Sequence, residues 1–269
     1  MAEPKRDRWG RYLLPNPKTG EERAWTRATT LAGTLKDTYG LEKWGKRMIV
    51  LGLVSRPDLL DLAYASDPGD KQQLDELCDD AMKAAKTAVR ANQGTALHKF
   101  TQRLDMGELV RAPRQWETDL AAYTALKERH GILTHPSMCE RMTVVPEIEC
   151  AGTMDKVVKH GGRPKILDLK TGSTVDYSGL EIAMQLAIYA HGEGLWNLET
   201  NEWDDMPDVS LTEALVIHLP AGGDPTTGEH KATLYSVDIA VGWEIAKTAY
   251  VVREWRKSKD LLVPYPEAG

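Results

Sequence analysis

The sequence predicts an α/β (α+β) fold, with a central mixed β-sheet flanked by helices and a helical lobe on the N-terminal side. Three observations carry this. Apolar residues recur at helical spacing up to about residue 130, they change to alternation from Glu140, and one strongly apolar helical segment, "GLEIAMQLAIYAHG", interrupts the alternating half.

Thr29 or Thr30 caps a first helix through about Asp37, and Leu41 to Leu53 has the apolar spacing of a second. "RPDLLDLAYA" reads as a third. Residues 70 to 90, rich in Ala, Lys and Gln, read as a long amphipathic helix, which Gly94 interrupts before a helix carrying His98. "PRQWETDLAAYTALKERHG" opens on Pro and stops on Gly, the usual asymmetry of a helix. After it, "ERMTVV" pairs with "IECAGTMDKVV" around Pro146, and "KILDLKTG" is the third strand. The apolar helix follows, then strands at "EALVIHLP" and "ATLYSVDI" and a C-terminal helix at "VGWEIAKTAYVVREWRK". "NLETNEWDDMPDVS" and "AGGDPTTGEH" read as loops. The expected division is a helical lobe over residues 1–130 and a core over residues 131–269.

A chain of 269 residues, 42% hydrophobic and 28% charged, is long enough to bury one good core and is not disordered by composition. Three scattered cysteines, an odd number, point to free thiols in a reducing compartment. No apolar segment marks the start "MAEPKRDRWGRY", and no run approaches the roughly 18 apolar residues of a membrane span. The expected location is therefore the cytoplasm, with no membrane partner. The net charge of −6 counts against a broadly basic surface for nucleic acid. Lys156, Lys159, Arg163, Lys165 and Lys170 gather around one hairpin, however, and predict a local basic groove on an acidic body. Trp9, Trp25 and Trp116 are candidates for base stacking, and sequence does not rank them against a core role.

The hairpin is "GTMDKVVKHGGRPKILDLKTG". A turn centred on Gly161-Gly162 sets Asp155 directly opposite Asp168. Alternation puts Asp168 and Lys170 on one face, and Leu167 and Leu169 on the core face. Like charges opposite one another, with Cβ atoms about 4.5–5.5 Å apart, destabilise a sheet unless solvent or a cation intervenes. A hard divalent ion such as Mg²⁺, which takes one or two carboxylates plus water and phosphate oxygens, suits the pair. Without it the two acids are surface charges and Lys170 is their salt-bridge partner.

Further residues extend the pattern. Gly152 and Asp155 form G-x-x-D, Asp168 to Gly172 form D-x-K-T-G, Gln185 and Tyr189 form Q-x-x-x-Y one helical turn apart, and Gly94 and His98 form G-x-x-x-H. In this order they resemble the PD-(D/E)XK nuclease superfamily, in its RecB-like branch, over roughly residues 90 to 190. The opening "RYLLPNPKTGEERAWTRATTLAGTLKDTYGLEKWGKR" also resembles phage-encoded members. The resemblance implies a restriction-endonuclease-like core and a metal site made by Asp155, Asp168, the Leu169 backbone carbonyl and His98. One further acid is implied, Glu140 or Glu149, of which Glu140 matches the family position better. Lys170 would position or deprotonate the attacking water, or stabilise charge in the transition state; Gln185, on one helical face with Tyr189, would orient Lys170 or a DNA phosphate, unless that face simply packs the helix on the sheet. Some relatives carry a four-cysteine iron–sulfur site, which Cys78, Cys139 and Cys150 do not supply, so the implied cofactor is Mg²⁺ or Mn²⁺ alone. An imidazole ligand would favour Mn²⁺.

The implied function is a metal-dependent DNA exonuclease acting on linear ends, single- or double-stranded, in phage recombination, replication or repair. Recombination or replication proteins are its implied partners, and the host cytoplasm its place. Two alternatives stay open: a catalytically inactive nuclease-fold protein that binds DNA or assembles with other proteins, and a structure- or sequence-specific endonuclease.

Overall fold

A computed structural model describes residues 4–85, 89–259 and 261–265, and for residues 89–91 the backbone alone. Contacts divide the chain into two compact units, Asp37–Lys99 and Met1–Lys36 with Phe100–Gly269. This differs from a division at residue 130. The N-terminal residues contribute strands to the sheet, and the helix after Pro113 buries Trp116, Leu120, Tyr123 and Leu126 within the same unit.

The smaller unit is helical: α2 (Tyr39–Ser55), α3 (Pro57–Ala65) and α4 (Lys71–Ala84). Pro57 opens α3, and Asp70 caps α4 by accepting from the Gln73 N–H. Helices α2 and α4 cross closely because Gly52 has no side chain. A Cβ there would fall 1.8 Å from the Ala81 carbonyl oxygen. The described part of the amphipathic segment ends at Ala85, and residues 86–88 lie outside the described residues. Gly94 does not interrupt a helix. It lies inside α5 (Val89–Asp105), whose last residues belong to the larger unit.

The larger unit holds a nine-stranded mixed sheet among the described residues. Its strands are β1 (Tyr12–Pro15), β2 (Glu22–Arg27), β3 (Leu133–Val145), β4 (Cys150–Lys159), β5 (Lys165–Lys170), β6 (Leu195–Asn197), β7 (Glu202–Asp204), β8 (Glu213–His218) and β9 (Thr233–Asp238). The main order is β7-β6-β3-β4-β5-β8-β9. β5 runs parallel to β8, and β2 runs parallel to the start of β4; the other pairings are antiparallel. Helices α1 (Ala28–Ala32), α6 (Arg114–Arg129), α7 (Gly179–Ala190) and α8 (Ile239–Trp255) complete the unit. α7 is apolar on nearly every side because it is enclosed: Met184, Leu186, Ala187 and Ile188 share one core with Ile166, Val216, Ala246 and Ala249. The architecture is α/β, a mixed sheet flanked by helices.

Two local expectations fail for simple reasons. α1 is capped by the backbone of Arg27, with no side-chain cap from Thr29 or Thr30, because β2 runs straight into it. The segment after Trp196 carries a short hairpin, β6 with β7, where Trp196 faces Trp203, so part of the expected loop is strand. No helix among the described residues is long and apolar enough to cross a membrane.

Candidate active site

The site forms where the sheet divides. A strand has two edges, and β3 occupies one edge of β4 from Val145↔Cys150 to Cys139↔Lys156. The other edge is shared. β2 pairs there with Cys150 and Ala151, and β5 pairs with Lys156, Val157 and Val158. Residues 152–155 lie between the two ladders and leave a gap in the sheet.

The turn at Gly161-Gly162 sets the expected register, with Lys156 facing Leu167 and Val157 facing Ile166. Continued by one pair, it brings Asp155 opposite Asp168. The ladder stops before that pair. Asp155 Oδ2 accepts a hydrogen bond from the Leu169 N–H at 2.8 Å, so a carboxylate closes the fork where a backbone carbonyl would otherwise stand. Alternation also breaks at this point. Met154 and Val157, three residues apart, both enter the core beneath α7 and α8, while Lys156 turns toward Tyr123 of α6. On β3 the matching kink is Glu140, at φ 52°, where the flanking pairs put it across from Asp155. A non-glycine residue in that region costs on the order of 1 kcal/mol and marks strain held by its surroundings.

Three acids thus stand in a row on adjacent strands. Burial pushes the Asp168 carboxyl up to about 7, and the charge of Asp155 adds to the shift against the opposing Lys170. Glu140 is likewise pushed up to about 7 by burial, with Asp155 and Asp168 contributing. Lys170 Nζ lies 2.9 Å from Asp168 Oδ2, yet that buried oxygen has no hydrogen bond of good geometry among the described residues. The ammonium is held instead by Gln185, whose Oε1 accepts from it at 3.2 Å. Gln185 in turn donates to the Tyr189 hydroxyl at 2.9 Å. Tyr189 is buried, which raises its phenol well above the ordinary range. It lies against β4 because residue 152 is glycine: a Cβ there would be 2.5 Å from the Tyr189 ring. The two ends of the sequence pattern, G-x-x-D and Q-x-x-x-Y, therefore depend on one close contact.

Asp155, Asp168, Leu169, Lys170, Gln185 and Tyr189 are brought together, and Glu140 joins them. Glu149 does not. It caps the turn before β4 at φ 49° and pairs with Arg23 at 2.7 Å. His98 is half-buried on α5, within the helical unit.

The expected basic groove fails at two of its five residues. Lys156 and Lys165 are buried, the first bound to Asp105 and Tyr123 and the second to the His160 carbonyl and Glu213. Buried ammonium groups need such partners, so these two lysines serve the hairpin itself. The group around Asp105 was not foreseen. Asp105 accepts from Tyr123 Oη at 2.6 Å and from Lys127 and Lys156, and Lys127 also donates to Thr134 at 2.9 Å. A lysine inside the apolar run "MDKVV" was the available signal. Of the three tryptophans, Trp25 and Trp116 are core residues and Trp9 is 65% exposed.

Among the described residues no three His, Cys, Asp or Glu side chains already close on a point at metal-binding distance. The donor set nonetheless fits a hard divalent cation. Asp168 Oδ2 is buried without a good donor, and the neighbouring carboxylates add to the cost of ionising Asp168 and Glu140. Such an ion needs only one or two protein carboxylates. Asp168, Asp155 and Glu140 are the residues that would hold it. Comparison with protein-family models gives no match for this chain, and comparison with curated proteins gives no significant relative.

Proposed function

We propose that this chain is a metal-dependent deoxyribonuclease of the PD-(D/E)XK type, RecB-like branch, degrading linear DNA from its ends in phage recombination, replication or repair. The observation that carries the reading is the junction of Asp155, Asp168 and Lys170 at a fork in the sheet, with Lys170 held from α7 by Gln185. The buried Asp168, beside Asp155 and with Lys170 on its face, supports hydrolysis of a phosphodiester better than a purely structural role, because Asp168 Oδ2 lacks a hydrogen-bond donor of good geometry among the described residues.

A bound Mg²⁺ or Mn²⁺ would supply Lewis-acid polarisation of the scissile phosphate and lower the pKa of water at the site. The chain's own residues do the rest. Asp155 and Asp168 set the position, with Asp155 fixed by the Leu169 N–H. That bond also fixes the peptide whose neighbouring carbonyl, at Leu169, is the further proposed ligand. Lys170 takes a proton from the attacking water as a neutral amine, or neutralises charge on the phosphate as an ammonium, and Gln185, steadied by Tyr189, aims its Nζ. For His98 the support is the sequence pattern alone.

The test is degradation of end-labelled linear duplex beside relaxed closed circles, with Mn²⁺, Mg²⁺ or EDTA. The expected result is loss of the linear DNA with Mn²⁺ at least as fast as with Mg²⁺, surviving circles, and no reaction in EDTA. Robust cleavage in excess EDTA overturns the metal mechanism, and circles cut as fast as linear DNA replace the exonuclease with an endonuclease.

A further inference from the structure

We infer that a second site, at the far end of the gap in β4, takes a backbone phosphate of single-stranded nucleic acid. The inference rests on the nuclease reading above and adds a substrate contact to it.

The site is a concavity of about 630 Å³. Thr26 and Arg27 from the end of β2, Thr30 from α1, Arg253 from α8, and Trp9 and Arg11 from the N-terminal segment line it, and none of its lining residues is acidic. Arg11 is committed to Asp7 at 2.7 Å. Arg27 and Arg253 are half-buried and have no carboxylate partner among the described residues. Arg27 donates to the Thr29 hydroxyl at 3.4 Å. The chain has 40 acidic against 34 basic residues, so two arginines lining one concavity with no acid in its lining stand out. A partly desolvated cation is costly without an anion. The planar fork of Arg matches phosphate oxygens, and hydroxyls such as those of Thr26 and Thr30 complete such a site.

Position ties this concavity to the candidate active site. Arg27 pairs with Ala151 on β4, and Asp155 lies four residues further along the same strand, about 13 Å away at strand rise. Arg27 and Asp155 therefore border opposite ends of one sheet gap, a spacing that an extended strand covers in a few nucleotides. A concavity of this size admits a nucleotide. Trp9 stands exposed at the lip, with the Arg8 guanidinium 3.9 Å from its ring centroid. Of the three tryptophans raised as stacking candidates it alone is exposed, and a base would stack there beside the arginine.

The experiment measures binding of a fluorescein-labelled oligothymidylate by anisotropy, in EDTA, over a range of salt concentrations. The proteins are wild type, Arg27→Gln, Arg253→Gln, the double variant, Arg27→Lys with Arg253→Lys, and Asp168→Asn. Each single Gln variant should weaken binding about tenfold. The double variant should lower the slope of log K against log salt by about 0.7, the value for the one phosphate the site neutralises. The Lys pair should keep the slope and lose part of the affinity, which separates a lost charge from a lost fold. Asp168→Asn should fail to cleave when Mn²⁺ is supplied. Wild-type affinity and slope in the double variant, or wild-type binding confined to duplex, overturns the phosphate site and leaves the nuclease reading standing if linear DNA is still degraded. Absence of both binding and cleavage in the wild type overturns the two together.

Discussion

Two buried groups that each take a residue from β4, Lys156 in one and Asp155 in the other, use the same residue types and reach opposite states. Around Asp105 one carboxylate collects three donors, from Tyr123, Lys127 and Lys156. Burial pushes its pKa up, but the two ammonium groups outweigh this and hold it below the ordinary value. Around Asp168, two residues of β5 beyond the Ile166 that faces Val157, the carboxylate is equally buried and has a single ammonium, which is itself held by Gln185. Burial and the neighbouring Asp155 win there, and the carboxyl rises to about 7. What separates a structural ion cluster from a candidate reaction site is therefore the number of donors per acid, not the presence of acid, lysine and tyrosine.

The largest effect should come from removing the under-satisfied acid. Asp168→Asn is expected to lower DNA cleavage on the order of a thousandfold or more, the scale of removing a charge-stabilising group from a site. The same variant should make the metal-free protein more stable by about 1–3 kcal/mol at pH 8, since a neutral amide no longer has to ionise in a buried position. A nuclease assay and a thermal melt in EDTA read the two effects. A destabilised Asp168→Asn protein would mean that the acid is satisfied and the contrast is false.

Asp105→Asn should do the reverse. It leaves Lys156 and Lys127 with a neutral partner, and breaking a buried pair from one side typically costs about 3–5 kcal/mol. Denaturant melts beside Asp168→Asn check the opposite signs. Equal shifts in the same direction would remove the distinction between the two groups.

The pH dependence of metal-free stability follows with its sign. Asp168 and Glu140 have folded values of about 7 against ordinary values of 3.8 and 4.5. Between those limits the folded state binds more protons than the unfolded, so stability falls as pH rises from about 4 to about 7. Asp105 has a lowered value, so its contribution is present above its ordinary 3.8 and is lost as pH falls further. Urea melts in EDTA should therefore show greatest stability near pH 4–5. Mn²⁺ should flatten the fall toward neutrality, because it binds the ionised acids. A slope unchanged by saturating Mn²⁺ would separate the raised acids from metal binding.

How much of this was legible in the sequence depends on whether a feature is local. The hairpin register followed from Gly161-Gly162, and the shared face of Asp168 and Lys170 from alternation alone. Lys156 was read as a surface charge because its partners, Asp105 and Tyr123, come from helices far away in sequence. The same limit explains the division of the chain. Nothing local in "ERAWTR" says that β2 pairs with Cys150 and Ala151 rather than serving a helical lobe. Glu140 was favoured over Glu149 by position in a pattern, while the physical difference between them, an ion pair with Arg23, is a tertiary fact.

The smallest expected effect probes the glycine contact that joins strand and helix at the candidate reactive group. Gly152→Ala places a methyl group 2.5 Å from the Tyr189 ring and 3.0 Å from the Ala28 side chain. Overpacking of this kind costs about 1–3 kcal/mol. Relief requires Tyr189 to move, and with it Gln185, which holds Lys170. Cleavage should fall about tenfold while the salt slope of DNA binding stays constant, since no phosphate contact is touched. Tyr189→Ala should be harmful alone and less harmful in the Gly152→Ala background, with a coupling of about 0.5–3 kcal/mol in a double-mutant cycle on stability. Strict additivity would show that the glycine matters through Ala28 instead, and that the Q-x-x-x-Y helix is positioned independently of the strand carrying Asp155.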